Sequence, residues 1–524
     1  MKNIKLPSNN LGLFFQNIAE KNKDSLALEF PSGEVITYRK LNKLVNQTAR
    51  LLKKKFSIKV EDVVCISGVK RTETFCLMLA CLKIGATYSV MDNSSPIEGL
   101  SLIINTCEPK LIVAEGNLID VLKKSFISNK FNFLENDFII NNEELLKYSE
   151  HNLSVVNSIN VKNGAYIMFT SGSTGIPKGA LITHANLLSF ISWIKEEFGF
   201  NSTDKLTNVN PIFFDNSVFD FYSAFFSGSC LVPFSKDEVG NPSFLMKKIN
   251  DLGCTSWFSV PSLLIYLATV KVLVPENMKK IRRIIFGGEG YPKVKLFELF
   301  KLYSSRISIY NVYGPTECTC ICSNYEISSS DFEDLSGIPP LGALIQDFSY
   351  LILDQKLKSV QDNEVGELCL IGPSVGQGYY NDKKRTKESF IQNPYKQDNE
   401  IIYLTGDFVK YDSKDKNIYF VCRKDNQIKH MGYRIELDEI ESALNRVNGI
   451  AESVVIHGFL YNMKQIIAFV AIEDSLSLSS IEIKAQLSEM IPNYMIPSKI
   501  NVLNILPKNP SGKIDRNKLA LEYL

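Results

Sequence analysis

Histidine is scarce. The chain has four in 524 residues (His151, His184, His430 and His457), and no two are spaced to grip a metal from one helix. A metal centre built from protein ligands is therefore not expected. No stretch of about 18 apolar residues occurs, which excludes a spanning helix on sequence grounds. The first ten residues, Met1-Lys-Asn-Ile-Lys-Leu-Pro-Ser-Asn-Asn10, lack the apolar core of a signal peptide. Charge of one sign is missing too: 58 basic and 57 acidic side chains leave a net charge of +1. Such a balance gives no electrostatic reason to expect nucleic acid or a membrane surface as partner. The eleven cysteines lack disulfide-framework spacing, which suits a reducing compartment, and a cytoplasmic protein is expected. The one dense group, Cys318, Cys320 and Cys322, has a period of two. That period predicts one face of a strand and not a zinc knuckle. Internal repeats and low-complexity tracts are absent.

What is present is ordinary for a globular protein, with 45% hydrophobic and 22% charged residues. The length exceeds a usual single core and predicts two or more folding units. Ile36 to Leu41 opens a helix in which Leu41, Leu44, Val45, Thr48, Leu51 and Leu52 recur along one face. Val63–Ile66 reads as a short buried strand, Phe75–Ile84 as a helix stopped by Gly85, and Ala86–Asp92 as a strand. Strands alternating with helices predict an α/β fold of mostly parallel sheets. From about residue 423 the texture becomes charged and shorter in period. A helix to about Arg446, strands at 453–456 and 466–472, and a helix near 481–490 predict a small α+β domain.

The stretch with the most chemistry is Tyr166-Ile-Met-Phe-Thr170-Ser-Gly-Ser-Thr174-Gly-Ile-Pro-Lys178-Gly. An apolar strand runs into hydroxyls and glycines, and Leu181–Leu188 then resumes a helix-compatible pattern with Thr183 as cap. Glycines expose backbone N–H groups, the hydroxyls add donors and Lys178 adds positive charge, which together suit a polyphosphate. It is not a Walker A loop, because Lys178 is followed by Gly179 and Ala180.

This loop resembles the phosphate loop of the adenylate-forming superfamily, which holds acyl-CoA synthetases, luciferases and the adenylation domains of nonribosomal peptide synthesis. Further signatures resemble that superfamily's, in its order. They are Leu82–Asp92, Phe213-Phe-Asp215-Asn-Ser-Val-Phe219-Asp, Asn311-Val-Tyr313-Gly-Pro-Thr316-Glu317 and Gly366-Glu367-Leu with Gly376-Gln-Gly-Tyr379. Tyr403-Leu-Thr405-Gly-Asp407, Asp425–Leu437 and Asn509-Pro-Ser-Gly-Lys513-Ile-Asp-Arg516 complete the set. The resemblance covers nearly the whole chain. It implies a large N-terminal domain, residues 1–424, of mostly parallel sheets flanked by helices, with a small β-barrel-like part. A small mobile α+β domain, residues 425–524, would carry the catalytic lysine, with Asp425 as hinge.

The resemblance implies ATP and Mg²⁺ as cofactors. Lys513, Thr174 and Glu317 take catalytic roles, Glu317 also as metal ligand. Thr170, Ser171, Gly172, Ser173, Gly175 and Lys178 would cradle phosphates. Asn311, Tyr313, Gly314 and Thr316 would hold adenine and phosphate, Asp407 the ribose hydroxyls, and Arg423 and Lys429 further nucleotide contacts. One departure is Cys422, where the superfamily usually has glycine.

For the substrate, the resemblance implies Asp215 as partner of an α-ammonium, an ion that needs a counter-charge away from water. Phe214, Asn216, Phe219, Ser259, Ile285, Gly287, Val312, Cys320 and Ile321 would wall the pocket. The walls carry no charge, so a small or medium neutral amino acid is expected. Proline comes first, because Phe286–Lys293 resembles prolyl-activating members, with alanine and small branched amino acids close behind. The implied reaction forms aminoacyl-AMP and pyrophosphate, then loads the pantetheine thiol of a separate phosphopantetheinylated carrier protein. Asp474-Ser475-Leu476 resembles a pantetheine attachment triplet, but it falls inside the C-terminal unit with no room for a carrier module. The alternatives are an acyl- or aryl-CoA ligase of the same superfamily and a silent scaffold within a synthetase assembly.

Overall fold

The computed structural model describes residues 10–126, 131–135, 143–172, 176–345, 347–397, 399–460, 463–472, 478–508 and 514–523. Contacts within the chain gather it into two units. One takes residues 1–91, 107–168 and 179–422, the other 92–106, 169–178 and 423–524.

In the first unit a nine-stranded sheet begins at one edge with Ala343–Leu344, Ser323–Glu326, Ser308–Tyr313, Arg283–Gly287 and Ser256–Ser259. It continues through Lys205–Asn208, Cys230–Pro233, Leu26–Glu29 and Val35–Thr37. Its interior pairs are parallel and its margins antiparallel. A six-stranded sheet runs Asn132–Glu135, Leu111–Ala114, Val63–Ser67, Thr87–Met91, Gly164–Thr170 and Lys178–Thr183. Val63–Ser67 and Thr87–Met91 are buried on both faces, as parallel strands covered by helices must be. The barrel-like part is an open antiparallel sheet: Ser349–Leu353, Gly366–Ile371, Ile401–Asp412 and Phe390–Gln392, with Asn417–Arg423 also on Ile401–Asp412.

Local chemistry explains the element ends that position the site. The helix Thr72–Ile84 stops at Gly85, whose φ of 73° is left-handed, a conformation cheap for glycine. Thr183 caps the helix His184–Phe198 through a reciprocal box with Asn186. The cap is where the sequence puts it, but Leu181 and Ile182 are strand, because Lys178–Thr183 joins the six-stranded sheet. The strand expected for the three cysteines is corrected as well. Thr316–Cys318 is a single 3₁₀ turn, and Thr319 and Cys320 have φ of 61° and 74°. The turn closes when the Cys322 N–H donates to the Tyr313 carbonyl at 2.8 Å. It can close that tightly because a Cβ on Gly314 would lie 2.4 Å from the Cys320 carbonyl oxygen. Ten of the eleven cysteines are buried, and Cys422 is exposed.

The second unit contains a hairpin, Gln427–His430 with Tyr433–Glu436, turned by Met431 and Gly432 at φ of 52° and 85°. Positive φ at both central residues matches the twist of a two-residue hairpin. A three-stranded sheet, Ile450–Leu460, Met463–Ile472 and Lys499–Leu503, follows. Alternate residues of its strands enter two cores. Val455, Ala468 and Val470 pack with the helices Leu437–Leu444 and Ser480–Met490, while Val454, Ile467 and Phe469 pack with Leu519.

Candidate active site

In the first unit, one segment gathers three of the carboxylates singled out by sequence. The strand Ser308–Tyr313 delivers Tyr313, and the turn after it delivers Thr316 and Glu317. The Tyr313 hydroxyl donates to Asp407 Oδ2 at 2.6 Å. Asp407 lies in the strand Ile401–Asp412, and its own N–H donates to Thr405 Oγ1 at 3.0 Å. The Thr316 hydroxyl donates to Asp215 Oδ2 at 2.5 Å. Asp215 stands at the N-cap of the helix Asn216–Ser227, yet its carboxylate makes no capping bond. Capping therefore does not account for an aspartate there. Glu317 is fully buried, and its Oε1 accepts from the Tyr379 hydroxyl at 2.8 Å. In each pair a neutral hydroxyl restrains a carboxylate without cancelling its charge.

The apolar walls also converge. Phe219, Ile285, Val312, Cys320 and Ile321 belong to one buried cluster with Phe258, whose ring lies 4.8 Å from that of Phe219. Gly287 leaves room for its neighbour, since a Cβ there would lie 2.5 Å from the Val312 carbonyl oxygen. Asn216 sits beside Gly288, and the Phe214 ring packs on Phe213 at 4.8 Å. Ser259 behaves differently: its hydroxyl accepts from Trp257 Nε1 at 2.8 Å and donates to the Val260 carbonyl, so it is spent on packing. The Asn311 amide donates to the Pro340 carbonyl at 2.8 Å.

The second unit holds the described part of the phosphate loop. Ser171 Oγ donates to the Arg434 carbonyl at 2.7 Å, and the Gly172 N–H donates to the Glu439 carboxylate. Lys178 Nζ lies 3.9 Å from Glu436 Oε1, which also accepts from the Gln427 amide at 2.5 Å. Burial and the neighbouring Glu436 charge push the Glu439 carboxyl up to about 7. Burial raises Glu436 as well, against the pull of Lys178. Arg423 forks onto both oxygens of Asp425 at 3.0 and 2.8 Å. Burial opposes ionisation of Asp425, but that guanidinium holds its carboxyl below the usual range. The Thr170 hydroxyl is buried without a hydrogen-bond partner among the described residues. Lys429 is exposed, opposite Arg434 in the hairpin. Ser173, Thr174, Gly175 and Lys513 lie outside the described residues; Lys508 and Ile514, which flank the lysine loop, form a bridge.

Sequence reasoning gave Tyr379, Glu436 and Glu439 no role. Tyr379 and Glu436 lie inside quoted motifs and Glu439 two residues past one, but their partners are 62 or more residues away along the chain, so no local pattern announces them.

Residues 15–380 match the AMP-binding enzyme family and residues 439–513 the AMP-binding enzyme C-terminal domain. The chain belongs to this family of adenylate-forming ligases. Within it the chain is of the nonribosomal-peptide-synthetase adenylation and D-alanine–carrier protein ligase type. It is 33% identical over 512 residues to bacitracin synthase 1 of Bacillus licheniformis, covering 96% of this chain and 9% of the relative. To the D-alanine–D-alanyl carrier protein ligase of Listeria monocytogenes it is 30% identical over 515 residues, covering 96% and 97%. The chain spans a fifth or less of the peptide synthases it matches, 20% of the dimodular nonribosomal peptide synthase of Bacillus subtilis. The fold is similar to that of an artificially fused adenylation–PCP didomain from Klebsiella oxytoca, with TM-score 0.81, 23% identity and coverage of 94% and 93%. No described helix is long and apolar enough to cross a membrane.

Proposed function

We propose that this chain activates a small or medium neutral amino acid with ATP and passes it to the pantetheine thiol of a separate carrier protein. The observation that carries the amino-acid reading is Asp215, a carboxylate at a helix start that is not used for capping and is aimed by Thr316. In the first step a carboxylate oxygen of the amino acid attacks the α-phosphorus of ATP, and pyrophosphate leaves. In the second, the carrier's sulfur attacks the carbonyl carbon of the adenylate, AMP leaves and the thiol proton passes to solvent.

Both first-step reactants are anions, so alignment and charge neutralisation dominate the barrier. Asp215 binds the ammonium, and the apolar walls from Phe219 to Ile321 exclude charged side chains. Asp407 binds the ribose hydroxyls, oriented by Tyr313. Thr170, Ser171, Gly172 and Lys178, with Ser173, Thr174 and Gly175, hold phosphate oxygens; the buried Thr170 hydroxyl, without a partner among the described residues, fits a ligand that brings acceptors. Lys513 stabilises charge on the reacting oxygens, and Asp425 is the hinge between residues 1–424 and 425–524. Glu317 fits Mg²⁺, a hard cation that needs few protein carboxylates and keeps several waters. When bound, that ion neutralises charge on the phosphates.

Proline is the first candidate substrate, then alanine and small branched amino acids. The test is ATP–pyrophosphate exchange with the purified chain across the amino acids and a set of fatty and aryl acids. Exchange with one or a few neutral amino acids supports the reading. Exchange with fatty or aryl acids alone would make the chain an acyl- or aryl-activating ligase, and no exchange at all would remove a catalytic role.

A further inference from the structure

Glu317 is held at its backbone and at its side chain by the same short segment. Residues 376–380 run beside the strand that ends at Thr183. The Gln377 N–H donates to the Leu181 carbonyl, the Leu181 N–H to Gly378 and the Tyr380 N–H to Gly179, at 3.0, 3.0 and 2.8 Å. At the start of this segment the Gly376 N–H donates to the Glu317 carbonyl at 2.8 Å. No other residue fits there, since a Cβ on Gly376 would lie 2.9 Å from the Leu181 carbonyl oxygen and 3.0 Å from that of Glu317. Three residues on, the Tyr379 hydroxyl reaches Glu317 Oε1 at 2.8 Å. The Tyr379 ring is buried and edge-on to Phe390 at 5.7 Å, and its N–H donates to Thr386 Oγ1 at 2.9 Å. The hydroxyl is therefore fixed from three sides before it meets the carboxylate.

We propose that Tyr379 is a positioning residue: its hydroxyl locks the Glu317 carboxylate in the orientation that receives the divalent cation accompanying ATP. The proposal rests on the reading of Glu317 as the metal ligand. A carboxylate side chain has several rotamers, and fixing one in advance removes that ordering cost from metal binding. A neutral donor suits the task. A lysine or arginine in its place would compete with the cation for the same charge.

The test measures Mn²⁺ binding to the full chain saturated with ATP, from the enhancement of water-proton relaxation that the protein-bound Mn²⁺–ATP complex shows over Mn²⁺–ATP alone. Tyr379→Phe is expected to weaken Mn²⁺ binding about tenfold, the scale on which groups behind a metal ligand act. ATP binding in EDTA should be unchanged. Thr386→Val loosens the same segment but keeps the hydroxyl, and should change Mn²⁺ binding less than twofold. Glu317→Gln serves as the reference and should bind Mn²⁺ more weakly than Tyr379→Phe does. A Tyr379→Phe value within twofold of wild type, beside a weakened Glu317→Gln, overturns the proposal and leaves the metal-ligand reading intact. A loss in Thr386→Val equal to that in Tyr379→Phe overturns it as well, because packing would then explain both. Undiminished binding by Glu317→Gln overturns the metal-ligand reading itself.

Discussion

The two units treat charge in opposite ways. In the first, Asp215, Asp407 and Glu317 are each restrained by a neutral hydroxyl, from Thr316, Tyr313 and Tyr379. A hydroxyl orients each carboxylate without itself neutralising the charge. In the second, the loop's donors already face carboxylates: Gly172 meets Glu439, and Lys178 meets Glu436. On the proposed reading, a phosphate arriving there would replace an existing anion, whereas an ammonium or metal at the first unit would meet a carboxylate already oriented by a hydroxyl. Pre-organised charge acts at little reorganisation cost, while exchanged charge contributes only the difference between old and new partners.

The largest expected effect breaks the first half of this comparison. Asp215→Ala should lower amino-acid-dependent pyrophosphate exchange by about two to four decades. Removing one side of a desolvated ion pair costs roughly 3–5 kcal/mol. Exchange within about threefold of wild type would remove the amino-acid assignment. Next, Thr316→Val keeps the shape and deletes the hydroxyl that aims Asp215. A hydrogen bond to a charged group is worth about 1.5–3 kcal/mol, so the KM for the amino acid should rise at least about tenfold, and Thr316→Ser should restore it. A wild-type KM in the valine variant beside a raised one in the serine variant would mean that the methyl, and not the hydroxyl, matters.

The second half is sharpened by pH. Glu439 has a carboxyl raised to about 7 by burial and by Glu436, so the folded state binds its proton more tightly than the unfolded state. That contribution is fully present below the ordinary glutamate range and is lost as pH rises towards 7. Glu439→Gln does not titrate, so its melting temperature relative to wild type should climb between about pH 4.5 and 7. A constant difference across that window would show that Glu439 does not titrate there. The smallest effect is expected from Glu436→Gln, which removes a carboxylate from Lys178 at 3.9 Å. ATP affinity, read by calorimetry, should rise about threefold or less, on the scale of a weak ion pair. Weaker ATP binding would mean that Glu436 supports the loop instead of competing for it.

Much of the fold was legible because its signals are local. Gly85 as a helix stop and Thr183 as a cap depend on a few neighbouring residues, and both stand in the structure. The alternating cysteines misled because a period of two indicates a strand only if the backbone is extended. Gly314 lets the chain fold back, and Thr319 and Cys320 turn left-handed instead. Leu181 and Ile182 were drawn into a helix by the pattern that follows them, but sheet pairing claimed them. The site motifs were readable from resemblance, yet the hydroxyl–carboxylate pairs were not. Thr316 and Asp215 lie 101 residues apart and Tyr313 and Asp407 lie 94 apart, so only the fold brings them together.

Cys422 gives the molecule a practical property. With the other ten thiols buried, a maleimide or disulfide reagent applied to the native protein should mark a single position, next to Arg423 and three residues from the proposed hinge at Asp425. A reporter dye could be attached there without removing any cysteine.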